Sequence, residues 1–402
     1  MDGMTFRKAV LALLLLAGCS EMGDEGVATH AGAIRCYDGN GIPSSDPECP
    51  WRGPWSRLAP ENLSADITHT LSPALCAANP GPSFLTVSVD SSGRYRTFQW
   101  SNASRATSWG NYGFKTFVSK PACTFREDEA NGQLGIVLAG KATDNKMYAS
   151  PGIMAPFGIP QQNPVPVSGT PGQFALVSNT AITNGGQPAI AGRTSGDTLM
   201  LLAFMAEGNR TIQAHTRNLP YVGNTWSTNP ITGPTLPTGW TAHGAPSISV
   251  LPITFRIVVH ARNGTTDRMF EVHFYKNGST MRFSDGLGQP VSSWLMLGNM
   301  GMITQNTSPA IVNLTATLDH PGYQTIFFRR NNDIMQTSDA GNPVLRVAPN
   351  NAPPFTGDPA AVVGFPFEMA SDYMLVSRTQ TTNQLFFLPS KQNATSDGFI
   401  GP

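Results

Sequence analysis

The side chains that could do chemistry are few in this chain and widely spaced. Hydrolysis of an acetal needs two carboxylates roughly 5–10 Å apart across the bond to be cut. The densest acidic run is "REDEA" at Arg126, and its plainer reading is a charged turn between strands. His69, His215, His243, His260, His273 and His320 are scattered without a His-x-x-x-His spacing, and no Cys-x-x-Cys pair occurs, so no metal centre is assigned. Gly-x-Ser-x-Gly, P-loop and dinucleotide fingerprints are also missing, and with them the common nucleophile and nucleotide chemistries. No catalytic residue and no cofactor follow from the residues. Lys and Arg number 26 against 26 Asp and Glu, so there is no basic surplus to neutralise phosphates, which excludes nucleic acid as a partner.

What the sequence does contain is a recurring phrase: a small or polar residue, Pro-Ala or Pro-Ser, then an apolar run. It stands as "LSPALC" at Leu71, "SKPACTF" at Ser119, "GQPAIAG" at Gly186, "GAPSISV" at Gly244, "TSPAIVNL" at Thr307 and "GDPAAVV" at Gly357. The prolines Pro73, Pro121, Pro188, Pro246, Pro309 and Pro359 recur at uneven intervals of about 50 to 70 residues, a spacing of degenerate blade-like repeats with loop insertions. After Pro309 come "AIVNL", "QTIFFRR", "IMQTS" and "NPVLRV"; after Pro188 come "AIAGR", "DTLMLLAF", "EGNRTIQAHTR" and a closing stretch at Trp226. Short β-branched and apolar runs between Gly, Asn and Asp turns read as antiparallel strands. No stretch of the mature chain carries a sustained helical period. The expected fold is all-β, a β-propeller of six four-stranded blades over residues 51–402, with seven blades as the alternative; radial stacking leaves few sheet edges exposed.

The last repeat is one strand short. After "QLFFLPS" only "KQNATSDGFIGP" follows, whereas "WRGPWSRL" at Trp51 stands before the first repeat and belongs to none. The N-terminal stretch is expected to supply the outer strand of the last blade and close the ring.

A Trp-containing strand, Ser-x-Pro-Ala with an apolar strand, a "vFxRr"-like strand and "nDxixxx" together resemble the PLL-like bacterial β-propeller lectins, most clearly over Ser308 to Ser338. That likeness implies glycan binding in clefts between blades, where an aromatic face meets the apolar side of a pyranose. Trp109, Trp226, Trp240 and Trp294 are the candidates, with Arg329, Arg330 and Arg378 as candidate hydrogen-bond donors. The competing reading is packing of the tryptophans between blades and solvation of the arginines at strand ends. Two rival functions stand beside the lectin: a propeller scaffold that binds a protein, and a propeller glycoside hydrolase. "SVDSSGRYRTFQW" at Ser88 resembles a sialidase Asp-box only in part.

The first residues are an export signal. Arg7 and Lys8 precede an apolar run, Ala9 to Leu16, far short of the roughly 20 residues that span a bilayer. Leu16-Ala17-Gly18-Cys19 resembles the lipobox of bacterial lipoproteins, which implies cleavage after residue 18, acylation of Cys19 and, with Ser20 following, an outer-membrane anchor on the periplasmic or cell-surface side. Export into an oxidising compartment makes the four remaining cysteines disulfide candidates. Cys36 and Cys49 would close a loop in residues 19–50, otherwise a tether; Cys76 and Cys123 stand at near-equivalent places of adjacent repeats. Cys19→Ala is expected to abolish incorporation of labelled palmitate; undiminished labelling would refute the anchor.

Overall fold

The protein is seen in a computed structural model that describes residues 36–37, 55–60, 62–78, 83–100, 106–128, 133–150, 153–154, 165–166, 174–178, 182, 185–193, 198–206, 208–219, 225–297, 307–313, 324–338, 344–347, 352–363 and 370–393. Six antiparallel sheets form six blades in a ring, a six-bladed β-propeller. Blade 1 comprises Ala74–Ala78, Ser83–Val89, Arg94–Trp100 and Gly110–Thr116. Blade 2 comprises Ala122–Asp128, Gln133–Lys141, Met147–Ala149 and Ala175–Ser178, with two short extra strands, Ile153–Met154 and Val165–Pro166. Blade 3 comprises Ala189–Arg193, Leu199–Ala206, Thr211–Asn218 and Ile231–Thr235. Blade 4 comprises Thr241–Val250, Thr254–Asn263, Thr266–Asn277 and Thr280–Ser284. Blade 5 comprises Ala310–Asn313, Gln324–Arg330, Asp333–Ser338 and Val344–Val347. Blade 6 comprises Ala360–Val363, Ala370–Arg378 and Leu385–Asn393. Among the described residues the one helical piece is a 3-10 turn, Leu63–Ala65.

The inner strands carry the Pro-Ala phrases, and all six prolines line one axial channel of ≈120 Å³. The reason is local. An inner strand has no hydrogen-bonding neighbour on its channel side, and a proline at its start removes an N–H that would have none. Alanine keeps six converging strands from filling the space with side chains. Adjacent inner strands are tied by side chains instead: Asp358 N–H donates to Ser72 Oγ at 2.8 Å, and Ala245 N–H to Ser308 Oγ at 2.8 Å. The serine of Ser-Pro-Ala is thus a bridge to the preceding blade. Cys76 and Cys123, on the inner strands of blades 1 and 2, are joined by a disulfide, as expected; closing a loop of that length stabilises by about 4 kcal/mol in the chain-entropy model.

The core lies between blades. In blade 3, Leu199 to Met205 is at most 1% exposed throughout. Leu199, Leu201, Ala203 and Met205 pack with Phe255 and Ile257 of blade 4. The alternate residues Met200, Leu202 and Phe204 pack with Val137 and Ala139 of blade 2. Side chains alternate along a strand, so a strand covered on both faces reads as the unbroken apolar run "LMLLAFMA".

Ser56–Leu58 pairs antiparallel with Leu385–Asn393, Ser56 opposite Phe387 and Leu58 opposite Leu385. The N-terminal stretch therefore completes blade 6 and closes the ring. Cys36–Tyr37 of the segment before it also pairs, with the outer strand of blade 5. The partner cysteine Cys49 and the lipidation residue Cys19 lie outside the described residues.

Three details differ from the sequence reading. Arg126 to Asp128 is not a turn but the end of blade 2's inner strand, Arg126 opposite Gly135 and Asp128 opposite Gln133. The outer strand of blade 3 starts at Ile231, beyond Trp226. That of blade 4 is Thr280–Ser284, while Leu295–Met296, next to Trp294, pairs with the third strand at Phe270 and Glu271. Asn277-Gly278, with Gly278 at φ +55°, makes the tight hairpin that sets the blade 4 strand.

Deleting residues 51–58 is expected to lower the melting temperature by roughly 5 °C or more and to produce oligomers through the exposed edge of blade 6. Deleting residues 20–33 is expected to do neither. Equal melting temperatures of two monomeric truncations would refute strand closure.

Candidate functional site

The expected tryptophans are dispersed around the ring, each within a core. Trp109, 7% exposed, stacks on Phe98 at 4.9 Å, meets the edge of His69 and donates from Nε1 to Asp66 Oδ1 at 3.0 Å, between blades 6 and 1. Trp226 belongs to the core between blades 2 and 3. Trp294 and Trp240 share the core between blades 3 and 4. Trp294 donates from Nε1 to the Pro234 carbonyl at 2.9 Å, and Trp240, the one of the four that is not fully buried, meets Phe270 edge-on at 5.0 Å. Arg329 lies at the channel end between blades 5 and 6, its Nε 3.9 Å from Asp358, and Arg378 donates from Nη1 to His69 O of blade 1 at 3.3 Å.

A cleft of ≈520 Å³ opens between the outer strands of blades 3 and 4, within the size range of small-ligand sites. Pro234 and Phe283 are its buried apolar part. Thr232, Thr235 and Ser292 are exposed at it. Gly233 makes the shape: a Cβ there would sit 2.6 Å from the Phe283 ring. Arg282 is held by bonds from Nε and Nη2 to the Gly288 carbonyl, 3.3 and 2.8 Å, and lies over the Tyr275 ring at 5.3 Å. The Gly288 turn is itself fixed by Asp285, which accepts from the Leu287 and Gln289 amides. A preset guanidinium, hydroxyls and an apolar wall suit a neutral polyhydroxylated ligand. Among the described residues that line this cleft there is no carboxylate, the group that acetal hydrolysis uses in pairs. None of the four expected tryptophans lines this cleft among the described residues; the sequence signal for Arg282 and Phe283 is the Asn-Gly hairpin before "STMRFS", which puts them on an outer strand.

The constellations that look catalytic are sealed. Ser88 Oγ lies 2.8 Å from His69 Nδ1, and His69 Nε2 lies 3.7 Å from Asp66, the residue types of a nucleophilic triad. Ser88 and His69 are both 0% exposed, so no substrate reaches the hydroxyl. Burial would raise the Asp66 carboxyl, but bonds from His69, Arg57, the Ile67 amide and Trp109 outweigh it and hold the pKa at about 2. Burial keeps His69 below its ordinary value despite the pull of Asp66. The second set, His260 Nε2 at 2.8 Å from Asp267 with Arg262 on the same carboxylate, is buried too, and its Nδ1 meets the Thr307 carbonyl of blade 5 at 3.2 Å. Both sets clamp the loops that enter a blade. Among the described residues no group of His, Cys, Asp and Glu could hold a metal ion.

No family model and no curated protein matches this chain. Solved structures do resemble it. The lectin of Aleuria aurantia, described as a six-bladed β-propeller with a novel fucose recognition mode, is 10% identical with a TM-score of 0.52, over 83% of this chain and 96% of that one. AofleA from Arthrobotrys oligospora is 9% identical with a TM-score of 0.52, over 92% and 94%. A protein of unknown function from Dyadobacter fermentans is 10% identical with a TM-score of 0.50, over 84% and 97%. At such identities the likeness is one of fold, and it agrees with the ring above: this chain folds as a six-bladed β-propeller.

Proposed function

We propose that this protein is a non-catalytic glycan-binding propeller, held at the outer membrane by an acylated Cys19 on the periplasmic or cell-surface side. The observation that carries the reading is the cleft between blades 3 and 4, where Ile231, Met281 and Val291 offer partly exposed apolar surface over the buried Phe283 and Pro234, Thr232, Thr235 and Ser292 offer hydroxyls, and Arg282 is fixed in place. A pyranose has one apolar face and a rim of hydroxyls, and such a cleft meets both. The fold likeness to a lectin described as recognising fucose supports a carbohydrate as the ligand.

A second reading, a scaffold for a protein partner, has its own observation. Leu287, Leu295 and Met296 of blade 4 are 79, 61 and 55% exposed, and exposed apolar surface marks interaction sites.

A glycan array and a glycoside-hydrolysis screen on the lipid-free mature chain separate the readings. Retention of a glycan without turnover is expected, and Arg282→Ala is expected to weaken it about tenfold or more, the worth of a hydrogen bond to a charged donor. Turnover of a bound glycan would replace the lectin by a hydrolase; retention of none would leave the protein scaffold.

A further inference from the structure

One end of the axial channel carries charge that the protein itself does not balance. Ala122 pairs with Ala139, and Ala360 with Val376. Two residues further along these registers, Lys120 comes opposite Lys141 in blade 2 and Asp358 opposite Arg378 in blade 6. Arg329 of blade 5 reaches the same Asp358 from the other side. Three cations, Lys120, Arg329 and Arg378, therefore share the field of one carboxylate at this end, and Lys141 is the fourth, across the blade 2 register from Lys120, in a chain whose formal charge is zero.

Three of the four have an explanation in the fold. Lys141 Nζ donates to the Gly185 carbonyl at 2.5 Å, in the loop that enters blade 3. Arg378 does the same for blade 1, and Arg329 faces Asp358 at the entry to blade 6. Gly357 shows how closely the last loop is seated, since a Cβ there would lie 2.6 Å from Arg378 Cβ. Even so, the Nε atoms of Arg329 and Arg378 are buried with no hydrogen-bond partner.

Lys120 has no such role. It lines the channel, where it is partly exposed, and its ammonium has no hydrogen-bond partner among the described residues. Burial pushes its pKa down, and the charge of Asp358 pulls the other way. A desolvated ion is costly unless paired, and Asp358 already faces Arg329, while Lys141, across the register, is buried. The channel volume of ≈120 Å³ is that of about four waters at roughly 30 Å³ each, enough for one small oxyanion.

We propose that this end of the axial channel is an anion site, in which Lys120 contacts a small oxyanion and Lys141, Arg329 and Arg378 supply the surrounding positive field. The ligand chemistry is a compact group with charged oxygens, either free inorganic phosphate or the carboxylate of an acidic sugar. The site is separate from the cleft between blades 3 and 4 and does not depend on its occupant.

The test is thermal unfolding of the mature chain in sodium phosphate, in sodium glucuronate and in sodium chloride at matched ionic strength. A ligand that binds only the folded state raises the melting temperature as its concentration rises. Phosphate or glucuronate is expected to raise it beyond chloride, and whichever does so identifies the source. Lys120→Met is expected to lose that increment. Lys120→Arg is expected to retain the increment, as is Lys115→Met, whose ammonium sits over Tyr148 at 3.6 Å, away from the channel lining. Two results would overturn the site: no increment over chloride with either anion in the wild type, or an undiminished increment in Lys120→Met.

Discussion

Burial of both faces of each blade's second strand against the neighbouring blades is the constraint on which the rest depends. Each fully buried Leu, Met or Phe contributes about 1.5–3 kcal/mol, and blade 3 places seven consecutive residues, Leu199 to Met205, at 1% exposure or less. No blade can do this alone, because its two faces belong to different cores. In blade 6, Leu375 packs towards blade 5 with Phe327 and Ile334, while Met374 and Val376 pack towards blade 1 with Phe98 and Trp100. A gap anywhere would strip a face from two blades at once. The recruitment of Ser56–Leu58 into blade 6 and the disulfide between blades 1 and 2 both serve that closure.

Close stacking creates a polar problem at the axis. Inner strands converge but cannot share backbone hydrogen bonds with one another, and the loops that enter each blade carry carbonyls into buried space. Side chains at the ends of the second strands answer this: Lys141, His260 and Arg378 each meet a carbonyl of the following blade. Lys141 and Arg378 are effective there because an ionised donor makes the stronger bond. They also concentrate charge where solvent is scarce.

The perimeter obeys looser rules. Outer strands pack on fewer neighbours, so their lengths and positions vary from blade to blade: seven residues in blade 1 but five in blades 3 and 4. Where two short outer strands diverge, as between Ile231–Thr235 and Thr280–Ser284, a cleft remains. Its shape follows from Gly233, and its polar character from an arginine immobilised by a turn carbonyl. Ligand preference can change there without disturbing the inter-blade cores.

Residue pattern alone determined the strands and their grouping. Proline before an unpaired inner strand, unbroken apolar runs in doubly covered strands and a missing last strand are local consequences of sheet geometry. So six blades, the closing N-terminal strand and the Cys76–Cys123 pairing could be read from the chain. The candidate site could not. Whether Trp109 or Trp294 faces a ligand or a core depends on which blade lies against it, and that is a property of stacking. Arg282 looked like any strand arginine until the Gly288 turn came to hold it. Lys120 stood beside Pro121 as an unremarked lysine, and its chemistry arises because the ring brings Lys141, Arg329, Arg378 and Asp358 around the same axis. Electrostatic and cleft properties are sums over residues far apart in sequence, and only the closed ring decides which of them are neighbours.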